Sequence, residues 1–381
     1  MRFGILTFLT AIILSVLPSP ARSGIITFDA PGAIPLAGSF DGTFPSGINN
    51  GGTITGIYVD AQTLYHGFLR SPGGEFTTLD APGAGSSVGT RFRAVPGSVN
   101  IKTRSININS HGAITGNYID SQNISHGFLR SPEGEFITLD APGARSAAGS
   151  FDGTFPSSIN NSGTITGNFI DSQDLNHGFL RSPRGEFITF DVPGAKPVAA
   201  AGYGTVPESI NDAGAITGHY IDVRDVTHGF VRSPGGEFTA LDAPGASSTA
   251  APGFGTFPES INSAGAIIGY FSDANGFPHG FLRSPGGKFT TFDAPGAAIG
   301  TLPKSINAGG AITGHYGDAN GLYHGFVRSP DGKFTTFDVP GAGTGAGSGF
   351  GTFSESINDA GAITGHYVDA QGLNHGFLRI P

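Results

Sequence analysis

Apolar and polar residues alternate over short stretches of the chain, and the same stretch keeps returning. In Ala215–Asp222 (AITGHYID), Ile216, Gly218 and Tyr220 fall on one side and Thr217, His219 and Ile221 on the other. A period of two over such a length predicts a β-strand. Neither side is strongly polar, whereas a sheet wetted on one face alternates cleanly, so this strand is expected to be covered on both faces. Three companions are expected: Ser209–Asn211 before it, and His228–Ser233 and Glu237–Asp242 after it. Asp212–Gly214 supplies the first turn. Ser233 to Gly236 (SPGG) supplies the last, with proline presetting φ and glycine reaching positive values. Pro244 and Gly245 stop the fourth strand, because proline has no N–H to give a ladder.

This unit is one of a series. His-Gly-Phe begins at His66, His126, His177, His228, His279, His324 and His375, at steps of 60, 51, 51, 51, 45 and 51 residues. An aspartate stands six positions before each: Asp60, Asp120, Asp171, Asp222, Asp273, Asp318 and Asp369. A period of this size signals a propeller, solenoid or array. The last unit ends after its third strand, at Pro381, while a lone fourth strand, Ile25–Asp29, stands near the other end of the chain. A linear stack needs terminal repeats with polar outer faces, and radial closure leaves fewer exposed edges. The sequence therefore reads as an all-β, seven-bladed β-propeller of four-stranded antiparallel blades, closed by Ile25–Asp29 completing the C-terminal blade. The blades fall at about 44–80, 98–140, 154–191, 205–242, 256–293, 301–338, and 352–381 with 25–29.

The consensus Asn-x-x-Gly-x-Ile-x-Gly-x-Tyr, then Asp, His-Gly-Phe and Phe-Thr-Thr-Phe-Asp-x-Pro-Gly-Ala resembles the HAF-repeat family of extracellular bacterial proteins. The resemblance runs from Gly24 to Pro381. It departs at the eponymous triplet, which is His-Gly-Phe here in every copy instead of His-Ala-Phe. It implies a secreted or surface protein with a propeller-like fold, and it implies no activity.

Residues 1–23 are of another kind. Arg2 precedes a mostly apolar run, Phe3–Leu17, and Ala21-Arg22-Ser23 sets small residues around a cleavage point before Gly24. That is the pattern of a signal peptide, leaving 24–381 as one domain, secreted to the periplasm or the exterior, with no membrane span and expected to be a monomer. The formal charge of −9 argues against nucleic acid, which selects basic surfaces. With no cysteine among 381 residues, disulfides and thiolate-bound zinc are excluded.

The recurrent Asp/His pairs (Asp60/His66 through Asp369/His375) read as structural, each facing itself across one hairpin. Copies a blade apart cannot converge on a zinc ion, which needs ligands about 2 Å from one point. A second series, Asp29, Asp80, Asp140, Asp191, Asp242, Asp293 and Asp338, precedes x-Pro-Gly and is expected to accept turn N–H groups. The Asp273–Gly276 and Asp318–Gly321 turns (DANG) look like calcium-loop fragments but lack the other oxygen ligands. The glycines of 341–351 lack the strand–loop–helix context of a dinucleotide site. No catalytic residue, metal or cofactor is assigned.

Function is sought instead where the repeat breaks. The second unit is nine residues longer than its neighbours, and its connection 90–104 holds Arg91, Arg93, Lys102 and Arg104, expected to bind an acidic glycan or anionic partner. Two other positions vary: Glu208, Glu259, Lys304 and Glu355 before Ser-Ile-Asn, and Ile57, Asn117, Asn168, His219, Tyr270, His315 and His366 in the second strand. A non-catalytic binding or scaffold protein for a polysaccharide or envelope protein fits best. A polysaccharide lyase or glycosidase using the glutamates at a channel mouth and a purely structural adhesion protein are the alternatives.

Overall fold

The computed structural model describes residues 24–34, 42–62, 64–85, 107–147, 152–197, 204–249, 253–345 and 349–381. Every regular element among them is a β-strand, 28 in all. The unit read from sequence is present as Thr205–Ile210, Ile216–Ile221, Thr227–Arg232 and Phe238–Leu241, paired antiparallel in that order. The same four-stranded antiparallel group recurs over residues 43–79, 107–139, 154–190, 255–292 and 300–337. In the last group, Gly351–Ile357, Ile363–Val368 and Asn374–Ile380 are joined by Gly24–Phe28 from the other end of the chain. Gly24 lies opposite Ile380 and Phe28 opposite Gly376. The groups are called the first to seventh units below, in this order.

In six of the seven units the first strand is longer than the sequence reading allowed. It begins at Thr205 in place of Ser209 and runs through Pro207, with a register shift between Pro207 and Ser209 that bulges Glu208 out of the ladder. Proline is tolerated because this strand is the edge of its four-stranded group, where its missing N–H breaks no ladder bond. The bulge re-aims one side chain per unit, and the same shift recurs in the other five units whose first strand is fully described.

Burial follows the expectation of two covered faces. Second-strand isoleucines Ile54, Ile114, Ile165, Ile216, Ile267, Ile312 and Ile363 have no exposed surface. They belong to seven apolar clusters, most of them shared between adjoining units. One, for example, joins Leu139 and Ala141 of the second unit to Ile159, Ile165, Phe169 and Phe179 of the third. Units are also linked through main chain: Gly42 bridges Asn374, Gly153 bridges Ser125, Gly204 bridges Asn176, Gly255 bridges Thr227 and Gly351 bridges Tyr323, all parallel.

This close approach explains why the central residue of His-Gly-Phe is glycine. A Cβ on Gly178, Gly280 or Gly376 would lie 2.4–2.5 Å from a ring carbon of Phe190, Phe292 or Phe28 on the fourth strand. On Gly127 and Gly229 it would meet the next unit's Pro156 or Pro258 at 2.7–2.8 Å. Alanine there would have to displace the facing phenyl ring or the next unit's proline. Gly178→Ala should therefore cost about 1–3 kcal/mol through overpacking, read as a lower unfolding temperature with unchanged far-ultraviolet circular dichroism. Deleting residues 24–28 should cost more, since it strips the seventh unit of its fourth strand; unchanged thermal unfolding of that variant would contradict the pairing.

Candidate functional site

Three polar assemblies stand out, beginning with the aspartates and histidines of the repeat. Asp60 closes the hairpin between second and third strands: its Oδ1 accepts the N–H of Gln62 at 2.9 Å and of Leu64 at 2.8 Å. Its Oδ2 faces His66 Nε2 at 3.2 Å, and His66 Nδ1 meets Asp80 at 3.0 Å. Each histidine thus sits between two carboxylates of its own unit, and each stacks on the second-strand ring beside it, as His66 does on Tyr58 at 5.0 Å. The pairs Asp120/His126, Asp171/His177, Asp222/His228, Asp273/His279, Asp318/His324 and Asp369/His375 repeat the arrangement, at 3.3–3.9 Å.

The second aspartate series has a different partner from the one expected. Asp80, Asp140, Asp191, Asp242, Asp293, Asp338 and Asp29 meet histidine Nδ1 at 2.7–3.0 Å. The N–H after them is taken instead by a threonine of the adjoining unit, as Val192 N donates to Thr205 Oγ1 at 2.9 Å.

These contacts shift ionisation. Desolvation raises Asp60, but the Leu64 N–H, His66 and the Gln62 N–H outweigh it and hold the carboxyl below its ordinary value. Asp222, with the N–H groups of Val226 and Arg224 and the side chains of Arg224 and His228 set against its desolvation, falls to about 2. His66 is raised by Asp80 and Asp60 against its own desolvation, and His177 is raised chiefly by Asp191.

The second assembly lies where the first strands end. Asn49 Nδ2 donates to Asn109 O, Asn109 to Asn160, Asn160 to Asn211, Asn211 to Asn262, Asn262 to Asn307, and Asn307 to Asn358. Asn358 Nδ2 donates to Asn49 O at 3.0 Å, returning the circuit to its start. Each Oδ1 accepts the N–H four residues on, as Asn211 does from Ala215 at 2.9 Å. A second stitch runs beside it: the N–H groups of Ile48, Ile210, Ile261 and Ile357 donate to Ser356, Ser158, Ser209 and Ser305 of the preceding unit at 3.3–3.4 Å. The seven Ile-Asn-x segments surround one cavity of about 220 Å³.

The third assembly holds the variable positions. Glu208 lies 3.6 Å from His219 Nδ1, and Lys304 Nζ lies 3.4 Å from Glu259. The second-strand variants pack among rings: His219 on Phe257, Phe257 on Tyr270, and His366 flat on Phe353 at 4.8 Å. Burial there lowers His366 to about 4. Glu208 and Glu259 therefore each face a nitrogen base, while Arg91, Arg93, Lys102 and Arg104 lie outside the described residues. Among the described residues no group of three His, Asp or Glu side chains is placed to hold a metal ion, and no helix is long and apolar enough to cross a membrane.

Sequence reasoning passed over two residues. The circuit asparagine was visible as the invariant Asn of Ile-Asn, within Ser-Ile-Asn in five of the seven units. The other is the arginine ending every third strand (Arg70, Arg130, Arg181, Arg232, Arg283, Arg328 and Arg379), signalled by its constant place two residues after His-Gly-Phe. Arg70, Arg232, Arg328 and Arg379 lie over Phe28, Phe190, Phe292 and Phe337 of the preceding unit at 4.8–5.0 Å.

No protein-family model matches the chain, and no curated protein matches it in sequence. Solved structures do. A streptogramin B lyase aligns over 93% of this chain and 97% of its own with a TM-score of 0.54 at 14% identity. A virginiamycin B lyase from Staphylococcus aureus aligns over 94% and 100%, with a TM-score of 0.54 at 12% identity. One of two prolyl endopeptidases aligns over 88% of this chain and 49% of its own, with a TM-score of 0.54 at 11% identity. The fold is thus of the β-propeller class. At such identities the likeness carries the fold alone.

The ionisation shifts predict opposite signs in two pH ranges. The aspartates are lower in the fold than the ordinary 3.8, so their stabilisation is present above about pH 4 and is lost as pH falls toward 2. His66 and His177 stand above 6.5, so theirs is complete below that value and is lost as pH rises through the folded values. Asp222→Asn should lower stability at pH 7 by about 1–3 kcal/mol and flatten the acid limb; His66→Gln should flatten the alkaline one. Thermal unfolding followed from pH 2 to 9 checks both.

Proposed function

We propose that the chain is an exported propeller of seven blades, closed by Gly24–Phe28 in the last blade, that works as a non-catalytic binding or scaffold protein for a polysaccharide or an envelope protein. Closure is supported by the Gly24–Ile380 ladder and by the asparagine circuit that returns from Asn358 to Asn49. Export by the leader 1–23 to the periplasm or the exterior, and kinship with the HAF-repeat proteins, belong to the same proposal. The observation that carries the functional reading is how the repeated chemistry is used. Each motif histidine is tied through Nδ1 to the fourth-strand aspartate of its own unit, and in five units Nε2 also lies 3.2–3.4 Å from the hairpin aspartate. The connection 90–104 differs most from its counterparts in the other units, and surface connections carry recognition on a rigid frame.

The connection holding Arg91, Arg93, Lys102 and Arg104 is the proposed contact for acidic glycans. Binding of residues 24–381 to an array of acidic and neutral polysaccharides tests the reading. Acidic ligands should be retained, with salt weakening them. Replacing the four basic residues with alanine should reduce that binding at least tenfold. Undiminished binding by the variant would remove the loop from the proposal, and failure to bind any glycan or envelope protein would remove the function.

A further inference from the structure

The seven Asp/His pairs are not equivalent. In the first, second, third and seventh units, histidine Nε2 lies 3.2–3.4 Å from its aspartate Oδ2. There the residue two after the aspartate is glutamine: Gln62, Gln122, Gln173 and Gln371. In the fifth unit that residue is Asn275, whose shorter side chain folds back and donates Nδ2 to Asp273 Oδ2 at 3.2 Å. His279 Nε2 then stands 3.9 Å from Asp273, beyond hydrogen-bond reach. Asn320 does the same to Asp318 in the sixth unit, leaving His324 at 3.7 Å.

In the fifth unit the loosened pair lines a cavity. It measures about 480 Å³ and is bounded by Phe271, Asp273, His279, Thr291, Phe292 and Asp293, with Gly245 of the fourth unit at its rim. Two further substitutions favour an opening here. Arg145 and Lys196, at the place corresponding to Ser247, reach over the third and fourth units' turns to Asp174 and Asp225. Ser247 instead bonds Thr249 at 2.8 Å. Phe271 replaces a tyrosine whose hydroxyl, in the first and second units, meets the fourth-strand threonine at 3.3 and 3.1 Å; Phe271 has no hydroxyl to offer Thr291.

His279 keeps Asp293 on Nδ1 at 3.0 Å. In a neutral imidazole, a carboxylate at Nδ1 takes the Nδ1–H and leaves Nε2 as the acceptor. Two carboxylates, an imidazole acceptor and a threonine hydroxyl thus converge beside two phenyl rings, in a volume within the roughly 300–1,000 Å³ of small-ligand sites. Acceptors in excess select a ligand rich in hydroxyl donors, and the carboxylates disfavour an anion.

We propose that this cavity binds a neutral pyranose, with hydroxyls donated to Asp273, Asp293 and His279 Nε2 and a C–H face against the half-buried Phe292. The inference rests on the binding-protein reading and names a second, chemically opposite site to the basic loop. Calorimetric titration of the purified protein with the methyl glycosides of glucose, galactose and mannose tests it, with glycerol and glucuronate as controls. At least one neutral glycoside should saturate a single site, and both controls should fail. Asn275→Gln recreates the Asp-Ala-Gln-Gly turn that the seventh unit already folds (369–372); it should restore the His279–Asp273 bond and weaken the sugar at least tenfold. Asn320→Gln should leave affinity unchanged. In nitrogen-15 spectra, the sugar should move the Nε2 signal that His279→Gln removes. Sugar affinity indifferent to Asn275→Gln and to His279→Gln, or glycerol binding equally well, would overturn the site. Acidic polysaccharides retained with no neutral glycoside bound would sink this inference alone; no glycan bound at all would sink both readings.

Discussion

The asparagine at the end of each first strand is the interaction on which the remaining geometry depends. Its amide donates to the main chain of the next unit while its carbonyl oxygen fastens the turn of its own. A buried amide left unpaired costs about 1–3 kcal/mol, so each unit must present its carbonyl at the distance and angle its neighbour requires. Seven such demands, passed from Asn49 round to Asn358 and back, leave little freedom in the tilt of any one sheet. The other tight contacts follow from that spacing. Glycine in the third strand, proline in the first and threonine at the strand entry are what fit between sheets drawn this close. Arg70, Arg232, Arg328 and Arg379 lie over phenyl rings of the preceding unit for the same reason: they reach it only because the sheets are already in register.

The histidines show how one motif serves two ends. With a carboxylate on each nitrogen, an imidazole has no free lone pair and no free proton, and its work is to tie the second–third hairpin to the fourth strand. That arrangement is legible as a bond and not as chemistry. Release of one nitrogen changes the residue's character without changing its sequence context by more than a neighbour. In the fifth unit the tie to Asp293 persists while the tie to Asp273 lengthens, so the hairpin keeps one anchor and Nε2 is left without its hydrogen bond to the hairpin carboxylate.

Much of the architecture could be read from the chain. The fixed spacing of His-Gly-Phe, the period-two strands and the Pro-Gly stops locate the units to within a few residues, because those signals are local. The first strand was read four residues short. A proline followed by glutamate looks like an ending, and only the neighbouring sheets reveal that its N–H is not missed there. The circuit asparagine was visible in every copy, yet Asn before a glycine turn is fully explained by turn chemistry. Its second bond reaches 51 residues along the chain, from Asn160 to Asn211. Arginine after a strand reads as a solvated surface residue, and its burial against Phe28 or Phe190 depends on which units adjoin. The cavity beside His279 was beyond reach for the same reason. It depends on Ser247 standing where Arg145 and Lys196 stand in other units, and a loop residue announces nothing about the hairpin it faces.

The contrast between Asn275 and the glutamines at equivalent turns therefore carries more information than its chemistry suggests. Both side chains end in the same amide, and both leave the backbone bonds to the aspartate Oδ1 intact. One methylene decides whether the amide can turn back on Oδ2. In a single hairpin, losing a partly exposed histidine bond would threaten the turn that holds it. In a frame whose sheets are bound to both neighbours by asparagine, serine, threonine and buried apolar faces, one such bond is a small fraction of the whole. Redundancy of the repeated contacts is what allows a single unit to leave a nitrogen uncommitted, and an uncommitted nitrogen beside a cavity is the form in which a symmetric scaffold acquires an asymmetric site.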